Sequence, residues 1–296
     1  MKRTLLLLLL FCTGAAPLAA DAPYLRRFAL IIGANDGGDS RVRLRYAGSD
    51  ARSMGAVFSR LGGNAPQDML LLEQPSVFDI LEGFLKVNAM IKAAPGKNTR
   101  TELVFYYSGH SDEKGLLLAG RTLPYTLLKQ ALAGINADIK IALLDSCSSG
   151  TLVRLKGGTM GTPFLHDTSM KMQGTVILTS SSHNEASQES DRIRGSFFTH
   201  YVLTGLRGAA DADRDGRVTL NELYQFAYHQ TLAVTEKTVS GPQHPNYSIQ
   251  LSGSGDVVVT DIRSSRSRLV LAPELTGTIA VRRANGIFVA ELRKPD

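Results

Sequence analysis

Cysteine is scarce in this 296-residue sequence, which holds only Cys12 and Cys147. The first falls in a segment expected to be removed on export, so the second has nothing to pair with internally. Beyond that segment no apolar run reaches the roughly 18 residues a membrane-spanning helix needs, which excludes a transmembrane anchor. Basic runs and basic patches interleaved with aromatic residues are also missing, which makes nucleic acid a poor partner. The six histidines are scattered. None stands in an H-E-x-x-H spacing, so a helical zinc site is not indicated. What remains is a globular composition with a modest excess of Lys and Arg (33) over Asp and Glu (27), rich enough in apolar residues for one large domain and a small appendage.

At the N-terminus, Lys2 and Arg3 precede an apolar run over residues 5–12, and the small residues of TGAAPLAA follow. That order is the layout of a secretory signal peptide, expected over residues 1–20 with cleavage after Ala20, and it predicts a secreted or periplasmic protein. A lipoprotein modified on Cys12 is the alternative, and bulky Phe11 stands against it. In an oxidising compartment an unpaired thiol is a liability unless it is buried or used. A cysteine taken alone is most often a small buried hydrophobe. Here Ser146, Ser148, Ser149 and Gly150 surround Cys147, which suits a strand end opening into a loop.

Short apolar runs alternate with helical patterns along most of the chain. FALIIGAN (28–35), DMLLLE (68–73), ELVFYYSGH (102–110), IKIALLD (139–145) and GTVILTSSS (174–182) read as buried strands. Helical spacing marks 47–61, 77–91, 125–132 and 196–208, and GLLLAGRTLPY (115–125) reads as a hairpin. The alternation predicts an α/β sheet covered on both faces, with its chemistry at the carboxyl ends of the strands. Residues 151–173, rich in Gly, Thr and basic side chains, are expected to form a long loop. After Gly241 the pattern turns to β, in 245–253, 256–262, 268–273 and 278–292, where Asn285-Gly286 marks a hairpin turn. The expected division is a main domain over 24–252 and a C-terminal β segment over 253–296. That segment is too small to stand alone, so it either packs on the main domain or belongs to a longer module.

Two of the strand-like runs end in reactive side chains, His110 in YYSGH and Cys147 in DSCSSG. Neighbouring strands lie about 4.8 Å apart, so groups at their ends can meet. An imidazole beside a thiol can take its proton and return it to a leaving amine. The N–H groups of Gly109 and Cys147 are candidates for an oxyanion hole. A histidine alone is more often structural than catalytic. Its match with the one mature cysteine at the same edge of the sheet makes a cysteine hydrolase the first chemistry to test.

FALIIGAN, YAGSDARSM, YYSGH, DSCSSG, the TSSS segment with Glu189 beyond it, and GSFFTHYV occur in an order that resembles the caspase-like peptidases, and among them the bacterial metacaspase-type branch. The resemblance runs over residues 28–252. It implies a three-layer sandwich with a mainly parallel six-stranded sheet, His110 as general base and acid, and Cys147 as nucleophile. Caspases carry Q-A-C-[RQG]-G around the nucleophile, whereas here Asp145 stands two residues before it. In metacaspase-like enzymes that aspartate lines the primary specificity pocket, and Asp50 and Ser108 match the other pocket-lining positions. The resemblance therefore implies polypeptide substrates cut after Arg or Lys, in keeping with the need of a buried carboxylate for a cationic partner. Ser148 stands where metacaspases usually have His. The 151–173 loop lies where caspase-like chains are often cut, and Arg154, Lys156 and Lys171 would suit self-cleavage.

A separate motif rests on spacing alone. DADRDGRVTLNE places Asp211, Asp213, Asp215, Gly216, Thr219 and Glu222 at positions 1, 3, 5, 6, 9 and 12 of an EF-hand loop, with Arg217 offering its backbone carbonyl. Helical patterns flank it, as the motif requires. Calcium is the expected cofactor. A solvated acidic turn is the plainer reading, and the in-register glycine and glutamate argue against it.

Two further readings compete. A caspase-like fold can serve as a calcium-dependent binding or scaffold module, because fold does not fix function. A serine esterase built on Ser40 of GGDS lacks a base, since no Asp-x-x-His follows near the C-terminus.

Overall fold

The computed structural model describes residues 24–94, 96, 99–147, 173–182, 185–253, 255–264, 270–282, 284 and 288–294. The expected signal segment, residues 151–172 of the expected loop and the Asn285-Gly286 turn lie outside them.

The chain runs through β1 (Tyr24–Ala34), α1 (Ala47–Arg60), β2 (Asn64–Glu73), α2 (Val77–Lys92), β3 (Thr99–Ser111), the hairpin of β4 (Gly115–Leu118) and β5 (Arg121–Pro124), α3 (Tyr125–Ala133), β6 (Ile139–Asp145) and β7 (Gln173–Thr179). A short hairpin of β8 (Glu189–Ser190) and β9 (Gly195–Ser196) leads into α4 (Phe197–Thr204). The acidic loop carries β10 (Arg217–Thr219) and opens α5 (Leu220–Thr235). Then come β11 (Asn246–Ser252), β12 (Val258–Asp261) and the antiparallel pair β13 (Gly277–Arg282) and β14 (Phe288–Lys294).

The main sheet has the order β11-β7-β6-β3-β1-β2. Four successive pairings, from β2 through β1, β3 and β6 to β7, are parallel, and β11 joins antiparallel on β7. The β4–β5 hairpin extends β3, which brings the sheet to eight strands where six were expected. Successive residues of β1 point to opposite layers. Ala29 and Ile31 pack with Met54 and Phe58 of α1, Val202 of α4 and Leu223 of α5, whereas Phe28, Leu30 and Ile32 pack with Ile80 and Phe84 of α2 and Leu128 of α3. Burial on both faces is why the strands read as unbroken apolar runs. Each such side chain contributes about 1.5–3 kcal/mol by leaving water.

From the β1 end the chain turns toward α1 on one face, and from β3 it turns toward α3 on the other. The two loops part between β1 and β3, and a crevice opens at their carboxyl ends, where open α/β sheets hold their ligands. At the opposite end of the sheet, buried Arg27 donates to Glu102 and to the carbonyls of Gly62, Val258 and Val259. These bonds tie β12 to the sheet, and β12 in turn pairs with β10 of the acidic loop.

Two elements differ from expectation. The helix expected over 196–208 ends at Thr204 and continues as a wider turn over Gly205–Ala209, because Gly208 adopts φ +112. From Val270 onward the expected strand over 268–273 is not a strand, and Val270 stands 85 % exposed. No helix among the described residues is long and apolar enough to cross a membrane.

Candidate active site

His110 is the penultimate residue of β3 and Cys147 follows β6 by two residues, and the β3–β6 pairing runs to the register Ser108 opposite Asp145. Both reactive side chains are half-buried and line one cavity of about 430 Å³, together with Ser108, Gly109 and Asp145. The loop after β1 completes it. Asn35 accepts the Gly48 amide at 2.8 Å, and Asp36 accepts the Ala119 amide at 3.0 Å through its carbonyl, so the loop is held at both sides.

That loop orients the imidazole. His110 Nε2 lies 2.8 Å from the carbonyl oxygen of Val42. A carbonyl only accepts, so Nε2 carries the proton and Nδ1 is left as the basic nitrogen. Gly37 lies flat against the ring: a Cβ there would come within 2.6 Å of His110 Cδ2. Burial pulls the imidazole below its usual pKa, against the opposing pull of the Val42 carbonyl. Cys147 donates its thiol to the carbonyl of Ser187 at 3.9 Å. Burial pushes that thiol above its usual value, and the charge of Asp145 adds to the effect. Both shifts favour a neutral thiol and a neutral imidazole over an ion pair.

Asp145 is buried and hydrogen-bonded on both oxygens. Ser187 Oγ donates to Oδ1 at 2.5 Å; Thr199 donates to Oδ2 through its hydroxyl at 2.5 Å and its amide at 3.3 Å, and the Ser196 hydroxyl donates there too. Ser196 is also the N-cap of α4, accepting the Thr199 amide at 3.1 Å. Its own amide donates to Asp50 Oδ2 at 3.1 Å. Burial, followed by the Asp145 charge, pushes the Asp50 carboxyl well above the usual range. Asp50 lines the adjoining cavity and not the one that holds the dyad. The structure therefore brings Ser108, Gly109, His110, Asp145 and Cys147 together, with Asp50 one wall behind. Glu189 adds a further acid to the cleft, accepting the amides of Arg45 and Tyr46 at 3.0 and 3.1 Å.

Sequence reasoning missed Gly37, Val42, Ser187, Ser196 and Thr199. Ser196 is legible as a serine ahead of a helical pattern. Val42 is not legible, because it acts through its backbone.

In the acidic loop, Asp211, Asp213 and Asp215 bring carboxylate oxygens within 4.8 Å of one another. Oxygens at about 2.4 Å from a hard cation span that separation, so the donor set fits one. Asp211 accepts the amides of Asp215 and Gly216 at 3.1 Å each, and Gly216 takes φ +82, open to glycine without strain. Glu222 reaches back across the loop to the Ala212 amide at 3.0 Å and the Thr219 amide at 2.9 Å, so Thr219 and Glu222 form a capping box for α5. Arg217 pairs with Asp261 in the β10–β12 ladder.

A family model described as a caspase domain matches residues 26–253. The chain belongs to the caspase family. That family consists of cysteine peptidases, and the His110 and Cys147 cleft sits within the matched residues. Among solved structures the chain is similar to caspase-1 from Spodoptera frugiperda, with 18% identity, 83% of this chain and 98% of that chain covered, and a TM-score of 0.55. At that identity the likeness concerns the fold. The comparison with curated proteins returned no match.

Proposed function

We propose that this caspase-family chain is an exported endopeptidase that cuts polypeptides after Arg or Lys through His110 and Cys147 and binds calcium in its 211–222 loop. The observation that carries the specificity is the buried Asp145 carboxylate on the wall of the cleft, two residues before the nucleophile, with the Asp50 carboxyl behind it. A guanidinium or ammonium entering there meets negative charge already desolvated by the fold, which strengthens the attraction relative to water.

In the reaction His110 Nδ1 takes the Cys147 proton as Sγ attacks the substrate carbonyl carbon. The oxygen that gains the electron pair is stabilised by the N–H groups of Gly109 and Cys147. As the C–N bond breaks, the proton passes from His110 to the leaving amine, and an acyl-thioester remains. Water, deprotonated by the same nitrogen, then hydrolyses it and restores the thiol.

Calcium in the loop would be held by Asp211, Asp213, Asp215, the Arg217 carbonyl and Glu222, with Thr219 at the ninth position. It supplies a bracing charge and takes no part in bond breaking. α4 runs from Ser196 and Thr199, which hold Asp145, to the turn that opens the loop, so fixing the loop steadies the helix that carries the pocket.

The test is hydrolysis of arginyl, lysyl and aspartyl peptide reporters, with and without calcium, by the wild type and Cys147→Ala. Cleavage after Arg or Lys that is lost in Cys147→Ala supports the reading. Absence of turnover on every basic reporter with calcium present sinks it in favour of a binding or scaffold module.

A further inference from the structure

A second cavity, about 660 Å³, adjoins the cleft and shares Arg45 and Tyr46 with its lining. Five arginines from four parts of the chain line it: Arg45 before α1, Arg52 and Arg60 on one side of α1, Arg194 in the β8–β9 turn and Arg207 after α4. Carboxylates outside the lining hold two of them, Asp191 on Arg45 at 2.8 Å and Glu73 on Arg52. No carboxylate among the described residues pairs with Arg60 or Arg194. Asp50 is the one acid in the lining, and its burial holds it toward the neutral form. His200, in the same wall, is pulled down to about 4 by burial and adds no charge.

Four of them, Arg45, Arg52, Arg60 and Arg194, are exposed and solvated, and their common field still favours an offsetting negative charge. The dipole of α1 accounts for Arg60, in the last turn of that helix. It does not account for Arg194, which stands at φ +56, a region a non-glycine residue adopts at a cost. Guanidinium forks match phosphate oxygens two at a time, and several forks around one hollow match several phosphates. The volume is that of an ordinary small-ligand pocket.

We propose that this cavity is a binding site for a small ligand bearing two or more phosphate groups. The site adjoins the His110 and Cys147 cleft, contains neither of those residues, and does not depend on peptidase activity. Tripolyphosphate is the probe, titrated calorimetrically into the full chain at moderate salt. Saturable one-to-one binding is expected, weakened at least about tenfold by Arg60→Ala and by Arg194→Ala, and unchanged by Arg121→Ala, an exposed arginine outside the cavity. Hydrogen exchange on the wild type gives a second measurement that needs no variant: the ligand should protect residues 45–60 and 193–207. No saturable binding, equal weakening by Arg121→Ala, or protection spread evenly over the chain would overturn the assignment.

Discussion

Asp50 and Asp145 meet on a single residue: the Ser196 amide donates to the first at 3.1 Å, and the Ser196 hydroxyl donates to the second. Burial raises the Asp50 carboxyl, and the Asp145 charge adds to the effect.

Replacing Asp145 tests the charge. Asp145→Asn should lower kcat/KM on an arginyl reporter roughly tenfold to a hundredfold, the worth of a charge-assisted hydrogen bond. Turnover of a norleucyl reporter should fall far less. Equal losses on both reporters would show that Asp145 only holds α4 in place.

Asp50→Asn separates stability from function. The folded-state pKa of Asp50 lies above its ordinary value of 3.8, so its contribution is fully favourable below that value and is lost as pH rises through the folded pKa. The variant should therefore melt higher than the wild type at pH 7, by roughly 2–4 °C for each kcal/mol recovered. The gain should vanish near pH 3. A lower melting temperature at pH 7 contradicts the assignment.

The neutral dyad predicts a broad pH profile. Burial places the imidazole below 6.5 and the thiol above 9.0. The acid limb of kcat/KM should follow His110 as it gains a proton, and alkylation of Cys147 by iodoacetamide should keep accelerating past pH 9. Rapid alkylation at pH 6, independent of pH, would instead indicate a resting thiolate–imidazolium pair.

Gly37→Ala pushes a methyl group into the His110 ring. We expect kcat to fall at least about tenfold, since small misplacements of a catalytic group carry such losses, while the melting temperature changes little. Unchanged kcat would mean that the loop yields without moving the imidazole.

The proposed calcium site can be probed without breaking the helix cap. Glu222→Gln keeps a side chain able to complete the capping box with Thr219 but removes its charge. In the wild type, free calcium at about 100 times its Kd should add about 2.7 kcal/mol of stability, seen as a chelator-reversible rise in Tm. The variant should lose most of that rise while keeping its calcium-free Tm.

Periodicity and order carried the core into view. The runs 28–35, 102–110 and 139–145 became β1, β3 and β6 because strands buried on both faces must be apolar at every position. The ends of those runs therefore announced His110 and Cys147. The closeness of Asp211, Asp213 and Asp215 was legible for a similar reason, since alternate residues of one short turn are brought together by local geometry. The β8–β9 hairpin was not, because two-residue strands leave no alternating pattern and the residues that anchor them, Arg45, Tyr46 and Asp50, are far away in the sequence.

The sequence by itself determined which side chains can do chemistry and at which strand ends they stand, through hydrophobic pattern and motif spacing, both local properties. Only the tertiary structure decided their state. The Val42 carbonyl chooses the proton-bearing nitrogen of His110, burial keeps the thiol and the imidazole neutral, and Ser196 couples Asp145 to Asp50. Each of these is a contact or a desolvation between distant segments, and no local pattern encodes them. The gathering of Arg60, Arg194 and Arg207 around one cavity was equally beyond the linear sequence, because charges scattered along a chain acquire a common field only when the fold brings them together.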